Sequence, residues 1–397
     1  MFLKKSINVI IIKPTKACNA DCTHCSSPKE HENSKGIITL ENFEYMIKKL
    51  SYYLYDEVDI IWHGGEPLIM QEKNDYYFSA YKIAKKYIKN PQFSLQTNLL
   101  LYKKEKHQKL FKTVFDGSIS TSYDFFSGFR QIKGSQENYD NLFFDRLEAF
   151  QKDTGTTPYV ITIIDKNSKN KFKEIFEIAD GKYNIRVNYL YTVGRAANGE
   201  SNANKEIGDD GKIKNFAFNF DENVDMTAEE YEDFLVEYAK LWLESKEKTK
   251  AVPIWELLRN YLNTRYQKET VQQCPWTNKC NGKFLGIEPN GDIYNCADFA
   301  DIELLKFGNI YEDSVEDILH SRESKLMSKR AYKQPDECLS CEFYYACSGG
   351  CMRDSINYNG DLFGHFFFCK AWKGLFNLFK KYEAEKGIEF LQERRDR

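Results

Sequence analysis

No apolar run in this 397-residue chain approaches the ~20 residues needed to span a bilayer; stretches such as Val9 to Ile12 end after a few positions. There is no signal-peptide cleavage pattern, since Met1-Phe-Leu-Lys-Lys-Ser6 runs straight into a strand-like segment. Basic charge is not in excess either. The 56 Lys and Arg face 59 Asp and Glu for a net charge of −3, which provides no general phosphate-gripping surface for nucleic acid. No repeat of solenoid period is visible. These absences lead to the expectation of a cytoplasmic protein with no membrane and no nucleic-acid partner. With 42% hydrophobic and 29% charged residues the chain has the balance of a folded globular protein. Its length, set against a prior of roughly 150 residues per domain, predicts two domains or one large barrel with an extension.

The cysteines are more informative. There are 11, an odd number, and their grouping is uneven: Cys18, Cys22 and Cys25, then none until eight fall between Cys274 and Cys369. A chain of this size needs no disulfide staples, and the cytosol would reduce them. Short spacings in two groups read instead as metal or cluster ligation.

Six β-branched or aromatic runs predict strands at Ile7–Lys13, Val58–Trp62, Gln92–Thr97, Ser118–Ser122, Tyr159–Ile164 and Ile185–Tyr191. Helical spacing fills the intervals, at 40–54, 75–89, 103–111, 138–152 and 168–180. Repeated β-then-α units imply an α/β fold with a parallel sheet and right-handed crossovers. Six units are too few for the closed eight-stranded barrel, so a partial, TIM-like (β/α)6 barrel is expected, with functional groups on loops at the carboxyl ends of its strands. The polar stretch Asn198–Asp225 suits an exposed connection. Thr227 then caps a strong helix, and the region after Cys274 is irregular until an amphipathic packing helix at 372–391. The expected division is a barrel over 1–225, a helical bridge over 226–270 and a cysteine-rich domain over 271–397.

Cys18-x3-Cys22-x2-Cys25 follows directly on the first predicted strand. Three thiolates cannot close a tetrahedral site; on a [4Fe–4S] cluster they would leave one iron open for an exchangeable ligand. The alternative from spacing alone is a zinc site completed by His24, His31 or a distant residue. At the end of the second strand stands His63-Gly64-Gly65-Glu66-Pro67, where glycines permit close backbone approach and Glu66 can accept from an ammonium group. The eight later cysteines fill two four-ligand sites with none left over, a total that suits two zinc sites or two iron–sulfur clusters.

The Cys-x3-Cys-x2-Cys loop and the Gly-Gly-Glu-Pro motif resemble radical S-adenosylmethionine (SAM) enzymes. The resemblance implies a [4Fe–4S] cluster on Cys18, Cys22 and Cys25 whose open iron binds SAM, and reductive cleavage of SAM to a 5′-deoxyadenosyl radical that abstracts hydrogen. It implies a SAM site formed by Gly64, Gly65, Glu66, Pro67, Gln96, Asn98, Ser122 and Arg146, with Glu66 on the amino group and Arg146, or in competition Arg130, on the carboxylate. His24 stands where an aromatic residue is usual.

The later cysteines resemble the SPASM extension of such enzymes, down to the Gly291-x4-Cys296 step and the Ser348-Gly349-Gly350-Cys351 turn. That resemblance implies two auxiliary [4Fe–4S] clusters, one on Cys274, Cys280, Cys296 and Cys351 and the other on Cys338, Cys341, Cys347 and Cys369. Three clusters and SAM are therefore the expected cofactors.

The expected activity is that of an oxidoreductase acting on a peptide or protein, forming an intramolecular crosslink or another oxidation. The alternatives are formylglycine formation in a sulfatase and, in another class, a non-catalytic iron–sulfur or zinc sensor. Sulfatase-maturing enzymes place an aspartate immediately after the third ligand of the first auxiliary set; here that place is Ala297 and Asp298 comes next. On an extended segment the shift would turn Asp298, the candidate base, to the opposite face. Val193-Gly194-Arg195-Ala196 resembles a segment of peptide-modifying members. Expected partners are the polypeptide substrate, a reductant such as flavodoxin or ferredoxin and, because only 17 residues precede Cys18, a separate leader-peptide recognition protein.

Overall fold

The computed structural model describes residues 5–25, 36–72, 75–189, 206–218, 220–267, 271, 274–300 and 302–397. Parallel strands β1 (Ile7–Ile12), β2 (Leu54–Trp62), β3 (Asn90–Gln96), β4 (Ile119–Ser122), β5 (Tyr159–Ile164) and β6 (Asn184–Tyr189) lie side by side in chain order. Helices α1 (Leu40–Leu50), α2 (Leu68–Gln71), α3 (Tyr76–Tyr87), α4 (Lys104–Thr113), α5 (Gln136–Thr154) and α6 (Phe172–Ala179) form the crossovers. Their apolar stripes bury against the outer face of the sheet. In α5 the buried side chains are Tyr139, Phe143, Leu147 and Phe150, at helical spacing.

The sheet extends beyond these six units. The segment after α6 contributes α7 (Ala228–Glu244), the short strand β7 (Ala251–Val252) and α8 (Ile254–Gln267), with β7 joining β6 in parallel. From the cysteine-rich region β8 (Phe284–Ile287) pairs in parallel with β1 on the other side, followed by antiparallel β9 (Asp292–Tyr294) and β10 (Gly308–Asn309). The result is one ten-stranded sheet whose ends, β10 and β7, are not neighbours. A partial barrel is thus what forms, and strands β8 to β10 of the cysteine-rich region extend its wall.

Ion pairing and caps fix this join. Lys13, one residue past β1, is buried and pairs with the equally buried Glu288, one residue past β8, at 2.8 Å. Thr227 and Glu230 form a reciprocal capping box at the start of α7. Glu230 also pairs with Lys166 at 2.7 Å and Lys169 at 2.5 Å on the loop after β5. The polar connection before α7 is less open than expected in its described part: Ile207 and Ile213 are buried, and Lys212 bridges to Asp361. The terminal helix begins at Cys369 and breaks at Gly387, where φ is 87°, into α9 (Cys369–Lys386) and α10 (Ile388–Arg395). Phe368 packs on Tyr189 (4.5 Å between centroids) and Tyr231 (4.9 Å), so the last cysteine is tied to the end of β6 and to α7.

Candidate active site

Strand alternation determines what faces the interior. In β6, Ile185, Val187 and Tyr189 are buried in the core while Arg186 and Asn188 line a cavity inside the curved sheet. Ser94 and Gln96 of β3, and Ser120 and Ser122 of β4, line the same cavity. Its volume is about 660 Å3, within the roughly 300–1,000 Å3 of small-molecule sites. Cys18, Cys22 and Cys25 open onto it from the loop after β1, and Ala297 and Asp298 bound it from the cysteine-rich region.

Several of the expected SAM-site residues meet there and others do not. Gly64, Gly65, Gln96, Asn98 and Ser122 line the cavity; Glu66, Pro67 and Arg146 do not. Gly64 and Gly65 lie against the lead-in to Cys18. A Cβ on Gly65 would sit 2.1 Å from the Ala17 carbonyl oxygen, and the Gly65 and Glu66 amides donate to Thr15 and Ala17. Glu66 is fully buried and its oxygens are taken: Oε1 accepts from the Leu68 amide (2.9 Å) and the Thr97 hydroxyl (2.7 Å), Oε2 from the Asn98 amide (2.7 Å). Burial pushes its pKa up to about 7. Through these bonds it holds the loop after β3 in place. Arg146 is on a crossover helix, which covers the outer face of the sheet. Arg130, from the loop after β4, lines the cavity instead.

Arg130 is anchored by Asp124 at 2.8 Å, and Asp124 also holds His24 Nε2 at 3.1 Å. Burial works against the Asp124 carboxylate, but Arg130 and His24 hold its pKa down to about 2. His24 stacks near Phe129, 4.9 Å between centroids. Its position between Cys22 and Cys25 ties the cysteine loop to the loop after β4. Lys13, Arg186, Asn188 and Asp124 were missed from the sequence. Arg186 and Asn188 carry a readable signal, two polar residues in register on a strand whose other face is apolar.

All eleven cysteines are free of disulfides. Burial pushes Cys18 up to about 11, with added repulsion from Glu66, Cys22 and Cys25. The eight later thiols separate by mutual repulsion. After burial, Cys351 is raised by Asp354 and then by Cys274, Cys296 and Cys280, while Cys347 is pushed up to about 12 with Cys369, Cys338 and Cys341 contributing. The SPASM resemblance groups the same thiols together. Thiols crowded in this way are poor anions alone, and a bound metal centre is what deprotonates them; the donor sets fit iron–sulfur clusters. Among the described residues no three His, Cys, Asp or Glu groups converge on the point a single metal ion would occupy.

Asp298 corrects one expectation. Ala297–Phe299 is a 3-10 turn, not an extended segment, so the one-residue offset does not carry Asp298 to the opposite face. Asp298 is solvent-accessible and lines the cavity, with protein on its other sides. Burial raises its pKa, and Arg353, Lys13 and Arg186 oppose that rise. Arg353 Nε donates to the Asp298 carbonyl. Val193–Ala196 lies outside the described residues, and no described helix is long and apolar enough to cross a membrane.

Comparison with known proteins places this geometry. Residues 12–179 match the radical SAM superfamily and residues 266–342 an iron–sulfur cluster-binding domain, SPASM. The serine-type anaerobic sulfatase-maturating enzyme of Bacteroides thetaiotaomicron is 23% identical over 89% of this chain and 84% of its own. The cysteine-type enzyme of Clostridium perfringens is 24% identical over 92% of this chain and 95% of its own. The solved structure of anSMEcpe with bound AdoMet superposes with a TM-score of 0.76 at 18% identity, covering 98% of each chain. With SAM and iron–sulfur clusters as its cofactors, the chain is a radical SAM enzyme with a C-terminal SPASM domain.

Proposed function

We propose that this enzyme oxidises the side-chain carbon of a Cys or Ser in a polypeptide to the aldehyde, formylglycine, as the sulfatase-maturing relatives suggest. The carrying observation is that Asp298 and the three N-terminal cysteines face one cavity. The comparisons favour this alternative over the crosslinking first expected. Cys18, Cys22 and Cys25 would hold the SAM-binding cluster; Cys274, Cys280, Cys296 and Cys351 one auxiliary cluster; Cys338, Cys341, Cys347 and Cys369 the other.

When bound, these groups supply hydrogen-atom abstraction from the substrate carbon and an acceptor for one electron. The remaining work belongs to side chains. Oxidation to the C=S or C=O level removes one hydrogen atom from Cβ, one electron, and one proton from the thiol or hydroxyl. Asp298 is placed to take that proton. For Cys, water then replaces sulfur as hydrogen sulfide. Arg130, held by Asp124, and Gln96, Asn98 and Ser122 form the polar wall on which SAM is oriented, and Arg186 and Asn188 line the wall between the two ends.

The test is anaerobic reconstitution with dithionite, SAM and peptides carrying a single Cys or Ser. The expected products are 5′-deoxyadenosine and an aldehyde, by exchange of SH2 for O in Cys or loss of two hydrogens in Ser. A product that loses two hydrogens and keeps its sulfur would return the reading to crosslinking.

A further inference from the structure

The largest fully buried side chains include only two that are charged, Arg330 and Arg353, both in the cysteine-rich region. Arg353 reaches toward Asp298. Arg330 has a different setting. It is 1% exposed, and no carboxylate forms an ion pair with it among the described residues. Its Nη1 donates to the carbonyls of Leu362 (3.1 Å) and Gly364 (2.6 Å), and its Nη2 to those of Gly349 (3.1 Å) and Gly350 (3.5 Å). Gly349 lies in the turn between Cys347 of one set of four and Cys351 of the other. The remaining donor, Nε, is buried and has no hydrogen-bond partner.

Burying an unpaired guanidinium costs several kcal/mol, and Arg does not shed its proton to escape that cost. Something anionic has to offset it. The groups whose charge bears most on Arg330 are Cys351, Cys338 and Cys280, drawn from both sets, with the carboxylate of Asp361 after them. A [4Fe–4S] centre on four thiolates is anionic and gains one more negative charge on reduction. A fixed cation beside it therefore favours the reduced form, and net charge and hydrogen bonds to sulfur are what set such potentials.

We propose that Arg330 is the shared counter-charge of the two auxiliary centres and raises their reduction potentials, with Nε donating to a sulfur of one of them. The inference rests on the assignment of the eight later cysteines as ligands. It makes Arg330 a positioning and tuning residue, not a catalytic one.

The test compares wild-type protein, Arg330→Gln and Arg330→Lys after anaerobic reconstitution, by iron count and by EPR-monitored redox titration. The wild-type count should be about twelve irons per chain, four for each of three centres; a count near four overturns the ligand assignment, and this inference with it. With iron in place, Arg330→Gln should lower the reduced-to-oxidised ratio of an auxiliary centre about tenfold at fixed potential, or 59 mV for one electron. Arg330→Lys should recover at least half of that shift. Unchanged auxiliary potentials in an iron-replete Arg330→Gln protein overturn the proposal. Loss of auxiliary iron from both variants alike also overturns it, because Arg330 would then serve only the turn it holds. Loss from Arg330→Gln but not from Arg330→Lys supports it.

Discussion

The two cysteine regions solve opposite problems. Cys18, Cys22 and Cys25 sit on one loop, open to the barrel cavity, and no fourth cysteine accompanies them there. The eight later cysteines come from separate turns and helices of the chain; Cys338 is buried, six are partly buried and Cys274 is exposed. An incomplete, accessible donor set suits a centre that must bind a substrate-like ligand. Two full sets of four thiolates would suit centres that only gain and lose electrons. The contrast predicts that damage to the first set is chemical and damage to the second is structural.

The largest effects should separate on that line. Cys22→Ala should remove 5′-deoxyadenosine formation, beyond the ~100-fold that a change outside the ligand shell costs, while auxiliary iron and the thermal midpoint stay near wild type. Cys351→Ala should lose auxiliary iron and lower the midpoint as well, because it belongs to one set and lies four residues from the other. Iron analysis, calorimetry and product chromatography on the same samples check both. If Cys351→Ala keeps its auxiliary iron and stability, the structural half of the contrast is wrong.

Asp298 sharpens the comparison because it belongs to the later cysteine region but lines the cavity onto which the first three cysteines open. Asp298→Asn should cut aldehyde formation by about 10²–10⁴-fold, the usual range for a lost general base. Cleavage of SAM should persist within a few-fold, so the ratio of 5′-deoxyadenosine to aldehyde rises. Equal losses of both products would place Asp298 in SAM binding instead of in proton transfer.

Much of this was legible in advance where the signal was local. The six β-then-α units and the three-residue and two-residue spacings of the first cysteines are contiguous patterns, and the structure builds the units in that order, with the second strand starting at Leu54, at the end of the segment read as helix. What could not be read depends on non-local pairing. Phe284–Ile287 is four residues long and becomes a strand by adding to β1 across more than 270 positions of chain. Arg146 has the expected place on the helix after β4, but Arg130 on the loop before that helix lines the cavity and Arg146 does not. Glu66 stands in the expected loop, but its Thr97 and Asn98 partners come from the next strand's end, which spacing does not disclose.

The join between the regions should give the next largest effect. Lys13 and Glu288 form a buried pair between β1 and β8. Lys13→Met should leave Glu288 with only its longer contact to the half-exposed Lys16 at 3.9 Å and cost up to about 3–5 kcal/mol in stability. Adding Glu288→Gln should recover part of that loss, since removing both charges is far less costly than removing one. Denaturant unfolding of the two variants checks the sign. A double variant no more stable than the single would show that the pair serves something other than the join.

Glu66 gives the smallest effect and the most specific one, because it tests whether the barrel side is braced independently of its cluster. Its folded pKa of about 7 lies above the ordinary 4.5, so the folded state holds the proton more tightly than the unfolded state does. The stabilisation linked to that proton is fully present below about pH 4.5 and is lost as pH rises toward 7. Glu66→Gln removes the titration and turns one acceptor against a donor at Thr97 or Asn98, a loss of about 1–3 kcal/mol. The stability gap between wild type and variant should therefore be wider at pH 5 than at pH 8, and thermal melts at the two values measure it. A gap independent of pH would mean that Glu66 titrates in the folded chain as it does in the unfolded one, and that its three donors offset the whole cost of burying its charge.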